Sequence, residues 1–229
     1  MCGSGGGFCE DLSLLGNNSQ IINSLIFKLR NQVNHDGVHE FMYAYCVYIG
    51  DTHHAAWAMY THALHLIRSR NAAGSASGDY GESGKFLKVV CECLLVCIMN
   101  LSLVDPSESF IAIGTSSYVT LEDCQRLYRV YMCTLEFHKS VVVSENQCVE
   151  LYCVTGDYMA AVSSVLMFRT GIEHIVKYVH DNPVDFGPVC QLFVGSEYGV
   201  PALVAEYYLR TGTQVPESVA QKCNVHTHV

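Results

Sequence analysis

Apolar residues recur at intervals of three and four along almost the whole chain, as in Phe41, Tyr45 and Tyr48 and then Ala56, Met59, Ala63 and Ile67. That spacing gathers them on one face of a 3.6-residue helix, whereas sustained alternation, the mark of a half-buried strand, is scarce. The pattern predicts an all-α fold. Beyond this first hairpin, helices are predicted over Asp11–Asn31, Lys85–Leu103, Leu121–His138, Glu145–Thr155, Tyr158–Arg169 and Pro201–Arg210, with shorter ones over Gly171–His180 and Val184–Val194.

Polar residues stand where these helices begin, because a side-chain oxygen can accept from the orphan N–H groups of a first turn. Ser144 and Gln147 have the spacing of a capping box, and Thr120 with Asp123 is a shorter-armed version. Pro201 suits a first turn, where its missing N–H sacrifices no helical bond. Two junctions resemble each other: Tyr48-Ile49-Gly50-Asp51 leading to Ala55-Ala56, and Val154-Thr155-Gly156-Asp157 leading to Ala160-Ala161. In each, Gly can close one helix, Asp can cap the next, and the Ala pair lets the two approach closely. This is the unit of an αα-hairpin. No fixed period joins the copies, so the arrangement reads as an irregular αα-hairpin solenoid.

The segmentation that follows is a disordered start over 1–10, N-terminal helical hairpins over 11–70 and a flexible Gly/Ser-rich loop over 71–84. A helical solenoid over 85–211 and a C-terminal tail over 212–229 complete it. Within the solenoid, Pro106–Ser117 reads as a connection of mixed character.

Half of the 229 residues are hydrophobic, enough for a substantial core without cross-links. Against 22 Asp and Glu stand only 13 Lys and Arg, a formal net charge of -9, which disfavours direct binding of nucleic acid or an anionic membrane. Twelve Cys would suggest disulfides in a short secreted protein, but Met1–Glu10 lacks the basic and apolar regions of a signal peptide, so reduced, buried thiols are expected. For the same reason the N-x-Ser patterns at Asn17 and Asn100 receive no role. Phe86–Val104 is the best candidate for a membrane span, yet Lys88 and Glu92 share one stripe with Lys85, which predicts a largely buried helix instead.

The chemistry-bearing patterns are weak. Gly78-Asp79-Tyr80-Gly81-Glu82-Ser83-Gly84-Lys85 has the look of a phosphate-binding loop, but its first Gly is displaced and Phe86 stands where a magnesium-binding Ser or Thr is needed. Cys91, Cys93 and Cys97 lack zinc-site spacing and read as buried helix residues. His53, His54, His62 and His65 cluster around Trp57 without an HExxH motif, and read as surface or packing residues. His226 and His228 offer no preorganised geometry in a tail. With 12 Cys and 11 His, a Cys–His nucleophile pair distant in sequence stays open, and a thiol- or metal-dependent hydrolase is the enzyme alternative. The reading assigns no catalytic, cofactor-binding or metal-ligating residue and no cofactor. The series Phe41, Tyr43, Tyr45, Tyr48, Trp57 and Tyr60 spans more than one helical face, so it divides between interhelical core and partner surface, with the individual partner-binding residues left unassigned.

His39-Glu40-Phe41-Met42-Tyr43-Ala44-Tyr45, followed by Ala56-Trp57-Ala58-Met59-Tyr60, resembles the C-terminal helical region of the nucleoporin 160 family, large outer-ring scaffold nucleoporins. The resemblance continues in order through Phe86–Leu103 and through Val119–Leu135, which carries Leu121-Glu122-Asp123-Cys124. It extends into Val149–Phe168, with Leu151-Tyr152-Cys153-Val154-Thr155-Gly156-Asp157-Tyr158-Met159-Ala160-Ala161, and ends with Pro201-Ala202-Leu203-Val204-Ala205-Glu206-Tyr207-Tyr208-Leu209. It covers most of the chain. The family's N-terminal β-propeller has no counterpart in this sequence, and the segment between Phe168 and Val200 is shorter than the family pattern, as in a C-terminal fragment or a short form. The resemblance implies a non-enzymatic scaffold at the nuclear pore, bound to other outer-ring nucleoporins and supporting nucleocytoplasmic transport and mRNA export. No small-molecule substrate is expected, and the charge balance and the Lys88 and Glu92 stripe argue against nucleic-acid contact and a transmembrane span. The alternative is a cytosolic helical-repeat adaptor that binds a peptide or partner helix.

Overall fold

The computed structural model describes residues 18–29, 37–72, 80–113, 117–181 and 200–223. The fold is all-α, with one small antiparallel ribbon. Helix α1 covers residues 18–29. It is followed by α2 (Val38–Ile49), α3 (Thr52–Ala72), α4 (Tyr80–Leu101), α5 (Leu121–Glu136), α6 (Glu145–Thr155), α7 (Tyr158–Phe168), α8 (Ile172–Asp181), α9 (Val200–Thr211) and α10 (Glu217–Cys223). The chain divides into two compact units, Met1–Tyr128 and Arg129–Val229.

Both sequence junctions are helix–turn–helix corners of one design. Gly50 takes φ 77 and ψ 17, and Gly156 takes φ 80 and ψ 10, left-handed values that a Cβ would oppose. Gly50 N–H donates to Val47 O (3.1 Å) and Asp51 N–H to Cys46 O (2.8 Å). The second corner repeats this with Gly156 to Cys153 O (3.1 Å) and Asp157 to Tyr152 O (3.0 Å). This pair of reversed bonds satisfies the last carbonyls of a helix. The Asp side chain then opens the next helix: Asp51 Oδ1 accepts from His54 N–H and Asp157 Oδ1 from Ala160 N–H, both at 3.0 Å. The two predicted caps also form. Ser144 and Gln147 exchange reciprocal side chain to backbone bonds of 3.2 and 2.9 Å, and Thr120 and Asp123 do so at 3.2 and 2.9 Å.

In the first unit, α3 is flanked by α2 and α4. His39 near the start of α2 meets His62 in α3, the two lying equally far from the Gly50-Asp51 corner, so α2 and α3 run antiparallel. Ala55, Ala56, Ala58 and Ala63 of α3 are all fully buried, and their small size permits close approach. Toward α4 the pairing is again antiparallel. Arg70 at the end of α3 donates to Ser83 Oγ near the start of α4 (2.8 Å) and lies over the Phe86 ring, while His62 reaches Cys93 halfway along.

The second unit has an interior rich in branched aliphatic residues, with cysteines and aromatic rings among them. Val149 and Tyr152 of α6, Val162 and Val165 of α7, Ile175 and Val179 of α8, Val204 of α9 and Val219 of α10 form one buried cluster. Tyr158 at the start of α7 packs its ring 5.4 Å from that of Tyr178 near the end of α8, which makes these two helices antiparallel as well.

The predicted boundaries differ from the observed ones in three places. Strands β1 (Phe110–Ala112) and β2 (Tyr118–Thr120) pair antiparallel, with Phe110 opposite Thr120, where a mere connection was expected. Three residues are too few to display an alternation, although fully buried Ile111 anchors the ribbon. The 71–84 loop is narrower than expected, since α3 runs to Ala72 and α4 begins at Tyr80; residues 73–79 lie outside the described residues. The 212–229 tail contains α10, which buries Val219 and Cys223. The expected helix over Val184–Val194 and the start over 1–10 lie outside the described residues. Among the described residues no helix is long and apolar enough to cross a membrane. Lys88 and Glu92 of α4 stand exposed 3.9 Å apart, as their shared stripe implied.

Candidate functional site: a histidine-lined pocket in the first unit

One face of α3 carries Trp57, Thr61, Leu64 and Arg68 at helical spacing, with His65 beside them. These residues form the floor of a pocket of about 330 Å³, walled among the described residues by Leu29 of α1, His39 of α2 and Ile113 after β1. Two of its polar groups are committed within the fold. Trp57 Nε1–H donates to Ala112 O (3.2 Å), which fixes the indole against the ribbon. Thr61 Oγ1 donates to the carbonyls of Trp57 (2.9 Å) and Ala58 (3.0 Å), so only its lone pairs remain for other partners. His39 is 3% exposed and stacks on His62, with ring centroids 4.8 Å apart and planes 7° from parallel. His65 lies 5.9 Å from His39, centroid to centroid. Arg68 is exposed at the opening.

Behind this layer, His62 links three helices. Its Nδ1 lies 3.7 Å from Cys93 Sγ of α4, and its Nε2 lies 3.6 Å from Glu40 Oε1 of α2. Cys, His and Glu in this order have the composition of a nucleophile, a base and an orienting acid. The chemistry runs the other way. Burial, reinforced by the Glu40 and Glu92 carboxylates, pushes the Cys93 thiol up to about 11, away from the nucleophilic thiolate. Cys93 is also 3% exposed, which leaves no approach for a substrate. The trio packs three helices together.

The other sequence candidates separate cleanly. His53 Nε2 lies 2.7 Å from Phe110 O, which requires the proton on that nitrogen, and His54 Nδ1 lies 2.8 Å from Asp51 Oδ2. Both histidines thus tie the first corner to its surroundings rather than joining the pocket. Cys91, Cys93 and Cys97 are buried, and Cys97 Sγ lies 3.8 Å from Cys124 Sγ. Its hydrogen bond to Cys124, together with burial, pushes the Cys97 thiol up strongly. Nine described cysteines are buried. Among the described residues no group of three or more His, Cys, Asp or Glu is placed to hold a metal ion. Tyr80–Lys85 of the phosphate-loop pattern are helical, while Gly78 and Asp79, like His226 and His228, lie outside the described residues. Asn100 is buried in α4 and donates to Val96 O at 2.8 Å. The aromatic series divides: Trp57 and Tyr60 are buried, Tyr43 and Tyr45 half-buried, and Phe41 and Tyr48 are 59% and 86% exposed.

His39, Thr61 and Arg68 were not singled out by sequence as site residues. The spacing of Trp57, Thr61, Leu64 and Arg68 was available as a signal, but a mixed polar and apolar helix face reads as an ordinary boundary face until the neighbouring walls are known. No family model matches the chain, and neither a curated protein nor a solved structure gives a significant match.

Proposed function

We propose that the chain is a non-enzymatic helical scaffold, built as an irregular αα-hairpin solenoid, whose solvent-facing apolar stripes receive helices of partner proteins. The observation that carries this reading is the outer face of α2. Phe41, Ala44 and Tyr48 follow one another at helical spacing and are all exposed, with half-exposed Val47 alongside. A second stripe, Leu95, Met99 and Leu103, emerges at the end of α4 with exposures of 42%, 60% and 75%. Large side chains aligned in this way provide anchors for a helix laid alongside. The resemblance to the nucleoporin 160 family supports the specific form of the proposal: an outer-ring subunit at the nuclear pore, bound to other helical scaffold nucleoporins and contributing to nucleocytoplasmic transport and mRNA export.

The test is mass spectrometry of proteins captured by the tagged chain from nuclease-treated nuclear-envelope extract, beside the double variant Phe41→Ser/Tyr48→Ser. Outer-ring nucleoporins recovered in comparable amounts, and lost with the variant, support the reading. Their absence from a chain that retains its helical circular dichroism overturns the nuclear-pore form. A second reading, an adaptor for a short peptide, draws on a groove of about 450 Å³ in the second unit, where Val141, Val142, Leu151 and Val154 are flanked by Lys139 and Glu150. Selection of a single linear motif from a peptide library would favour it.

A further inference from the structure

We infer that the pocket floored by Trp57, Thr61, Leu64 and Arg68 binds a small organic monocarboxylate with an apolar body about the size of one ring. This assignment is independent of the scaffold reading. Its volume, about 330 Å³, suits a ring with one acid substituent rather than a large cofactor. The walls divide by chemistry. Leu29, Leu64, Ile113 and the Trp57 indole are apolar, whereas Arg68 brings a guanidinium and His39 and His65 bring imidazole rings. No Asp or Glu lines it among the described residues, in a chain whose formal net charge is -9. Arg68 gives the described lining a positive charge, opposite in sign to the chain's net charge.

The groups also set the orientation of the ligand. Arg68 carries the pocket's permanent charge and stands exposed at the opening, so the acid head sits there, on the guanidinium fork and beside His65. One permanent positive charge matches one carboxylate and leaves a phosphate dianion half-compensated. Thr61 has given its hydroxyl proton to helix carbonyls and offers only lone pairs, which repel a carboxylate and favour the ring at that end. Thr61 and Arg68 are seven residues apart on α3, about 10 Å along the axis, which is the reach of a ring bearing one acid group. Trp57, whose N–H is committed to Ala112 O, contributes its apolar surface.

Trp57 is the sole tryptophan, so its emission reports on the pocket wall without labelling. The chain is titrated with sodium benzoate, phenyl phosphate and neutral benzamide, and ligand-observed saturation-transfer NMR is recorded on the same samples. Saturable benzoate binding is expected, weaker with phenyl phosphate and weakest with benzamide. Because Arg68 is exposed, Arg68→Gln should keep the helical circular dichroism and weaken benzoate about tenfold or more, as for loss of a charged hydrogen bond. Arg210→Gln, in the other unit, should leave the affinity unchanged. Equal binding of benzoate and benzamide, an Arg68→Gln variant that binds as before, or no saturable binding by either readout up to about 10 mM would each overturn the assignment.

Discussion

The corners at Gly50-Asp51 and Gly156-Asp157 are nearly superimposable in their bonds, yet they introduce different interiors. After the first, α3 buries Ala55, Ala56, Ala58 and Ala63 and admits the rings of His39 and His62 between helices. After the second, α7 and α8 close on a continuous layer of Val162, Val165, Ile175, Val176 and Val179. The turn dictates only that the chain reverses. Side-chain size beyond the turn decides whether the helices admit imidazole rings between them or close on a branched aliphatic layer.

Alkaline titration should separate the two interiors most widely. Burial pushes the Cys46, Cys91 and Cys93 thiols of the first unit from the ordinary 9.0 up to about 11, and Cys153 of the second up to about 12. A folded value above the unfolded one means that the contribution is complete below pH 9 and is lost as pH rises through the folded value. Stability should therefore fall from about pH 9 in both units, through about 11 for the three thiols of the first and about 12 for Cys153 of the second, and more steeply in the segments around α2 and α4, which hold more of these thiols, as read by hydrogen exchange at stepped pH. A steeper loss in α6 to α8 would invert the comparison.

Two glycines with the same backbone sense should then differ in cost. Gly171 has φ +82, and a Cβ there would lie 2.8 Å from Val149 Cγ2, whereas at Gly50, φ +77, it would meet nothing within 4 Å. Gly171→Ala should cost about 2–5 kcal/mol, backbone strain plus overpacking, and Gly50→Ala about 1–2 kcal/mol, strain alone. Urea midpoints that shift equally would show that the second unit yields at this contact. The smallest effect belongs to the shared feature. Asp51→Ala and Asp157→Ala should each lose about 1 kcal/mol of capping, with Asp51 somewhat the larger because its second oxygen also holds His54 at 2.8 Å. Differential scanning calorimetry of the pair checks the order.

Much of the helical framework was legible because its signals are local. Glu145–Thr155 was bounded by a Ser144–Gln147 box and a Gly156 stop, and both are in place. What escaped depends on distance. The Phe110–Ala112 and Tyr118–Thr120 pairing is too short to leave a period, and α10 is a seven-residue helix stabilised by burying Val219 and Cys223 rather than by its own sequence. The pocket was hidden for a related reason. Half of it lies on α3 in plain helical spacing, but Leu29, His39 and Ile113 reach it only through the fold. The histidine group was visible as composition, while the division of labour between His53 and His54 on one side and His62 and His65 on the other was not.

The Gly50-Asp51 corner has one further consequence, in the phase of α3. Each residue added to or removed from a helix turns everything after it by about 100°. With only two residues between α2 and α3, the corner has no slack to absorb such a rotation. A single deletion at Asp51 would present a different side of α3 to α2, carrying the buried alanines away from their partner and swinging Trp57, Thr61 and Arg68 out of alignment with His39. The length of this corner, as much as the identity of any residue in it, keeps the pocket and the helix pairing in step.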